Sequence, residues 1–231
     1  MKKLFAISLC TIGCSDIKSS ALNTSGIHAE ISAMVEDGKT TVDVILRAGD
    51  ATSLTYVELD EGDKLEATDG SETSVLGHSN FGSIHTYDAQ FDPTDPGTEY
   101  TVSLFRELED DAPVSIATLT QDLTISIEND VHSRQNPLTI SWEAEEAGDE
   151  TLYLHASGSC IFSIKDEVPL SDGSFTINSS DFESTNPETA EESCELDIVA
   201  ERRLTGTLDP AYGSGKVYGG VRKRVSLRLD P

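Results

Sequence analysis

From Ile27 onward the chain alternates: Ile27, Ala29, Ile31, Ala33 and Val35 take every second position, and His28, Glu30 and Ser32 fall between them. A period of two sends successive side chains to opposite faces of an extended backbone, so this segment is a strand with one face in a core and one in water. The pattern returns at Val42, Val44 and Leu46, and β-rich runs follow at 54–59, 75–76, 84–91, 100–108 and 114–119. A second series occupies 123–127, 138–142, 152–156, 160–164, 175–177, 194–200 and 225–229. Turn formers separate the runs, among them Asp37-Gly38, Asp69-Gly70, Asp92-Pro93, Asp95-Pro96-Gly97 and Ala112-Pro113. No run of ten or more residues shows helical spacing, and 179–183 has room for a single turn at most. Short strands at regular spacing make the fold all-β, built as antiparallel sandwiches.

A chain of 231 residues suits two domains of about 100 residues, each able to bury its own core. The break between the two strand series lies near Thr120-Gln121, which gives a first sandwich over 26–120 and a second over 121–231. Only 37% of the residues are hydrophobic, but they are concentrated in the alternating runs, so the body folds.

The first fourteen residues follow a different logic. Lys2-Lys3 is basic, 4–12 is apolar, and Gly13-Cys14 places a small residue before a cysteine. The apolar stretch is too short for a permanent membrane helix and fits the core of a signal peptide. Thr11-Ile12-Gly13-Cys14 resembles a bacterial lipobox, departing from it at Thr11, where leucine is usual. The resemblance implies a signal peptide over 1–13 and export. It makes Cys14 the lipid-attachment residue and new N-terminus, and so gives a covalent lipid anchor in the bacterial cell envelope. Ser15 stands where aspartate is associated with inner-membrane retention, which points to the outer membrane. The polar stretch 14–25 reads as a lipidated tether. Secretion with cleavage near Ala21, leaving Cys14 an ordinary residue, is the alternative.

If Cys10 leaves with the signal and Cys14 takes lipid, Cys160 and Cys194 remain, and two thiols in an oxidising compartment are expected to pair. Closing a loop of roughly 35 residues adds about 3–4 kcal/mol in the chain-entropy picture. No cysteine or histidine spacing matches a zinc motif.

Leu138-Thr139-Ile140-Ser141-Trp142 resembles the strand that carries a buried tryptophan in immunoglobulin-like and fibronectin type-III-like domains. That resemblance covers 121–231 and implies two tandem Ig-like sandwiches behind the signal and tether. Both cysteines follow Trp142, so their bridge joins other strands than the antibody bridge does.

With 42 acidic and 16 basic residues the formal charge is −26, which opposes nucleic-acid binding. Two acidic clusters, Asp60 with Asp63, and Asp92, Asp95 and Glu99, could offer oxygen ligands to calcium, although neither has EF-hand spacing and in so acidic a chain solvated turns are the preferred reading. No other cofactor is expected. Arg222, Arg224 and Arg228 alternate on one face of the last strand, as a patch for an anion or partner or as cross-strand mates for Glu195, Asp197 and Glu201. Gly77-His78-Ser79-Asn80-Phe81 lacks the closing glycine of a nucleophile elbow, and Gly213-Ser214-Gly215-Lys216-Val217 is a turn rather than a phosphate-binding loop. The five histidines are scattered, and His78 with His85 is the pair that folding could bring to nearby acids. The expected function is a binding or structural module of the envelope, not an enzyme, with an envelope protein or glycan as partner. The alternatives are an envelope hydrolase with a site between the domains and a calcium-stiffened adhesin.

Overall fold

The computed structural model describes residues 15–92, 94–145, 150–185 and 192–231; the signal segment and Cys14 lie outside the described residues. The first half contributes β1 (Ser15–Lys18), β2 (Ile27–Glu36), β3 (Lys39–Ala48), β4 (Thr55–Glu58), β5 (Lys64–Thr68), β6 (Thr73–Val75), β7 (Gly77–Phe81), β8 (Ile84–Phe91), β9 (Glu99–Phe105) and β10 (Ala112–Thr118). The second contributes β11 (Leu123–Ile127), β12 (Val131–Ser133), β13 (Leu138–Ala144), β14 (Thr151–Gly158), β15 (Ile161–Pro169), β16 (Ser174–Ile177), β17 (Cys194–Thr205) and β18 (Ser214–Asp230). Among the described residues the only helical pieces are single 3-10 turns, so the fold is all-β.

The alternating segments become strands, but β2 is not half-exposed as its pattern suggests: His28, Ser32 and Met34 on its second face are buried too. On β2 and β3 the residues Ile27, Ala29, Ile31, Val42, Val44 and Leu46 are fully buried. Asp37 and Gly38 both take positive φ, the geometry of a two-residue hairpin turn whose twist matches that of the strands. Opposite them lies a sheet in the order β10-β9-β5-β6, whose Leu65, Tyr100, Val102 and Leu104 complete one core. In the second half, β11, β13 and β16 form a small sheet. Its Leu123, Ile140, Trp142 and Ile177 pack with Leu152, Leu196, Ile198 and Leu227 from β14, β17 and β18. Trp142 is buried, and its indole N–H donates to Leu170 O at 2.7 Å.

The two halves share a sheet. Its strands run β1-β4-β3-β2-β18-β17-β14-β15, joining first-half and second-half strands through β18. The N-terminal part of β18 pairs in parallel with β2 from Ser214 to Val221, while the whole of β17 pairs with β18 from Tyr218 to Leu229. One face of β18 therefore serves both sandwiches in turn: Val217 sits in the first core, Val221, Leu227 and Leu229 in the second. Gly219 is where β18 crosses under the end of β10, and a Cβ there would lie 2.2 Å from Thr118 O. Segment 206–217 is thus built into the first sandwich although the sequence puts it between the last two runs of the second series. The expected turn at 213–217 is corrected as well, because the strand already begins at Ser214.

The tether is a second correction. Ser15–Lys18 forms a parallel strand on β4, and Ser19 and Thr24 are buried. Arg106, buried to 1% side-chain exposure, reaches from the end of β9 to pair with Asp63 at 2.7 Å. It also donates to Ser19 O (2.8 Å), Leu22 O (3.1 Å) and Thr24 Oγ1 (3.0 Å). Serine, threonine and backbone carbonyls give a buried guanidinium the acceptors it needs, so here polarity is structural.

Candidate functional site

Cys160 and Cys194 form a disulfide with Cα atoms 5.8 Å apart. It joins the starts of β15 and β17, the two neighbours of β14, across the end of that strand at Gly158. A bridge of this kind belongs to oxidising compartments and suits an exported protein.

The acidic positions singled out in the sequence do structural work and are dispersed. Asp60 accepts the Ser20 N–H at 2.9 Å, and the Ser20 donors hold its carboxyl below the usual range. Asp63 accepts from Arg106 and from the Glu107 N–H. Asp92 pairs with Lys39 across the β3–β8 hydrogen-bonded edge, Asp95 O closes a turn by accepting from Thr98, and Glu99 opens β9.

Of the three arginines, Arg222 lies opposite Glu201 in the β17–β18 register and pairs with it at 2.6 Å and with Glu36 of β2 at 3.2 Å. Burial pushes the Glu201 carboxyl up, but Arg222 and Arg203 outweigh it and hold the group below its ordinary range. Arg224 reaches Glu36 at 3.5 Å, and Arg228 is held by Asp230 at 2.8 Å with a side chain still 64% exposed. Ion pairing thus occupies this row, across strands at Arg222 and Arg224 and within β18 at Arg228.

Beside that row the outer face of β14, β17 and β18 forms an open groove of about 1130 Å³. Its floor carries a ladder that the sequence did not announce: the Arg203 guanidinium lies 4.2 Å from the Tyr153 ring centroid and 4.4 Å from that of Tyr218. Glu201 fixes the guanidinium through Arg203 Nε at 2.8 Å. Lys165, Glu167 and Lys216 line the walls. Tyr153, Arg203 and Tyr218 occupy outward positions on three adjacent strands, so the alternation of each strand places them but only the sheet order assembles them. A cation between two ring faces is attracted by both quadrupoles and holds both rings in place.

The structure also joins His78 and His85, on the paired strands β7 and β8. Their rings stack with centroids 5.1 Å apart, and His78 Nε2 lies 2.9 Å from His85 Nδ1. They sit where β3 exchanges partners, pairing with β8 from Thr40 to Val44 and with β4 at Arg47. Tyr87 bridges the β4–β8 gap, donating to Val57 O at 3.2 Å and accepting the Leu59 N–H at 2.8 Å; burial pushes its phenol up to about 12. Asp16 of β1 and Glu58 of β4 complete the group. Ser79, next to His78 on β7, has its hydroxyl engaged with Thr86 Oγ1 at 2.7 Å.

No protein-family model matches the sequence, and no curated protein matches it. Among solved structures the chain is similar to a segment of two fibronectin type-III domains from chicken tenascin, at 15% identity over 87% of this chain and 98% of that one, with a TM-score of 0.28. It is similar to a Salmonella alpha-2-macroglobulin at 12% identity and a TM-score of 0.30, covering 90% of this chain and 15% of that much longer one. A third similarity is to the N-terminal four Ig domains of Dscam1, at 9% identity and a TM-score of 0.22, over 83% of this chain and 54% of that one. The sandwich architecture itself stands on the strand pairing described above.

Proposed function

We propose that this chain is an exported, non-enzymatic binding module of a bacterial cell envelope, anchored through lipid on Cys14 at the outer membrane. It works by holding an envelope protein or glycan in the groove over β14, β17 and β18. The Tyr153–Arg203–Tyr218 ladder is the observation that carries this reading. Two rings and a guanidinium already stacked and locked by Glu201 lose little freedom when a ligand lands on them, which is the setting in which aromatic and arginine side chains contribute most to recognition. The disulfide supports export, and the basic, apolar and Gly13-Cys14 sequence of the first fourteen residues supports the anchor.

Photo-cross-linking in intact cells tests the groove. A reactive side chain at Thr151 should capture one envelope component, capture should fall at least about tenfold when Arg203→Ala removes the ladder, and a reactive group at Glu72 should capture nothing in common with it. Equal capture from both positions, insensitive to Arg203→Ala, would overturn the reading. Cys14→Ser should move the protein out of the membrane fraction, and persistence there would refute the anchor.

A further inference from the structure

We propose that Asp16, Glu58 and His85 form a binding site for a divalent first-row transition ion of the zinc class, with His78 as the residue that orients the ligating imidazole. The three side chains come from strands far apart in sequence, and their candidate ligand atoms lie within 4.8 Å of one another. His85 is the fixed point. It is 2% exposed, and its Nε2 is buried without a hydrogen-bond partner although it faces Asp16 Oδ2 at 3.6 Å. That separation is too long for a hydrogen bond. It is close to the roughly 3.4 Å that separates two ligand atoms held tetrahedrally at about 2.1 Å around one zinc ion.

The other ring nitrogen agrees with this geometry. A metal on Nε2 requires the proton on Nδ1, and Nδ1 has His78 Nε2 at 2.9 Å as its acceptor. A ligating histidine whose second nitrogen donates to a neighbour is the recurring arrangement of metal sites. His78 is held in its turn by stacking on His85 and Tyr87, each at 5.1 Å. Asp16, with a side chain 55% exposed, leaves the site open to ions from solvent and free to close by the fraction of an ångström that coordination needs.

One imidazole and two carboxylates select the ion. Calcium takes six to eight oxygen ligands, whereas nitrogen with oxygen suits zinc and its neighbours, with water in the remaining position. The resident competitor is Lys18, whose ammonium lies 2.9 Å from Glu58 Oε1 and leaves the second carboxylate oxygen available. A second buried imidazole, His28, also has an Nε2 without a partner, but it faces the single carboxylate of Glu30, which Arg47 holds at 2.7 Å. Bound metal would tie β1 to β4 and β8, so the strand that begins the described chain would be clamped by the ion.

Zinc titration by calorimetry tests the site, using the chelator-stripped full chain with Cys10→Ser and Cys14→Ser so that no free thiol competes. One equivalent of Zn2+ should bind, and Ca2+ should not displace it. Asp16→Asn and His85→Gln should each weaken binding by about 100-fold and His78→Ala by about tenfold, while Lys18→Met should tighten it. Should His85→Gln fail to fold, Asp16→Asn remains as a surface change, and the nitrogen resonances of the His85 ring in the parent chain should move at Nε2 on adding zinc. Absence of stoichiometric binding, or binding that Asp16→Asn and the His85 resonances do not register, would overturn the proposal.

Discussion

Arg106→Met separates the two views of segment 15–24, as a loose tether or as a built part of the first sandwich. The methionine keeps most of the apolar stem in place and removes the guanidinium. Asp63, only 6% exposed, then loses its ion pair and keeps the Glu107 N–H as donor, Leu22 O and Thr24 Oγ1 lose the guanidinium as donor, and Ser19 O keeps only the Leu22 N–H. Breaking a buried ion pair from one side costs about 3–5 kcal/mol, because the remaining charge stays buried without its counterpart. The lost hydrogen bonds to 19–24 add locally, since segment 15–24 has Ile17 and Leu22 as its apolar contacts with the core. Urea unfolding should therefore show a loss of about 4 kcal/mol for Arg106→Met. Limited proteolysis should cut first within 15–24. In a double-mutant cycle, Asp63→Asn combined with Arg106→Met should cost much less than the sum of the single changes, because the second change removes a group the first has already stranded. A loss under about 1 kcal/mol, or additive losses with 15–24 still protected, would refute the reasoning.

Two further outcomes follow from the second sandwich. Replacing Cys160 and Cys194 together by alanine should lower stability by about 4 kcal/mol, the chain-entropy value for a bridge spanning 34 positions, and reductant should lower the parent protein to the level of the variant and leave the variant unchanged. Glu201→Gln should flatten the acid side of the stability profile. Folding holds this carboxyl below its ordinary value, so its contribution is complete above the unfolded-state pKa of about 4.3 and is lost as pH falls through the lower folded value. The variant should be about 2 kcal/mol less stable at neutral pH, as for charged hydrogen bonds, and the gap to the parent should narrow as the pH falls below the ordinary carboxylate range; parallel profiles would refute the assignment.

The strands that were legible in the sequence are those with one face in a core and one in water. β3, β8 and β13 declare themselves by alternation and the Asp37-Gly38 turn by composition; β2 alternates as well, although its second face is covered at His28, Ser32 and Met34. β7 does not, because all five of its residues are exposed and no apolar face exists to repeat. β12 is three residues long and β5 carries only Leu65 and Ala67 inward, each too short a signal against its flanks. The glycines near the start of β18 misled for a physical reason. Glycine marks turns, but it also marks places where two backbones approach, and Gly215 and Gly219 meet Ala29 O and Thr118 O in that second way. The fold of segment 15–25 is hidden because its carbonyls and hydroxyls are matched by Arg106, a residue more than eighty positions downstream.

The sites are less legible than the strands, and for one reason. A strand's inward and outward faces follow from local order, whereas neighbours across a sheet depend on which strands pair and in what register. Cys160 and Cys194 were accessible by counting, since two thiols have one possible bridge. Arg222 and Glu201 were accessible as charges on alternating faces, and the β17–β18 register puts them directly opposite. The Tyr153–Arg203–Tyr218 ladder needed the order β14-β17-β18, and Asp16 could meet His85 only through a parallel pairing of β1 with β4 that no hairpin announces. Parallel pairing has no short turn to betray it. In a chain with 42 acids and 16 bases, the sheet uses its few cations where acids converge: Arg106 on Asp63, Arg202 on Glu150, Arg222 between Glu201 and Glu36. At Asp16 and Glu58 two acids meet one lysine and a buried imidazole nitrogen without a partner, which leaves negative charge there for an ion from solution to meet.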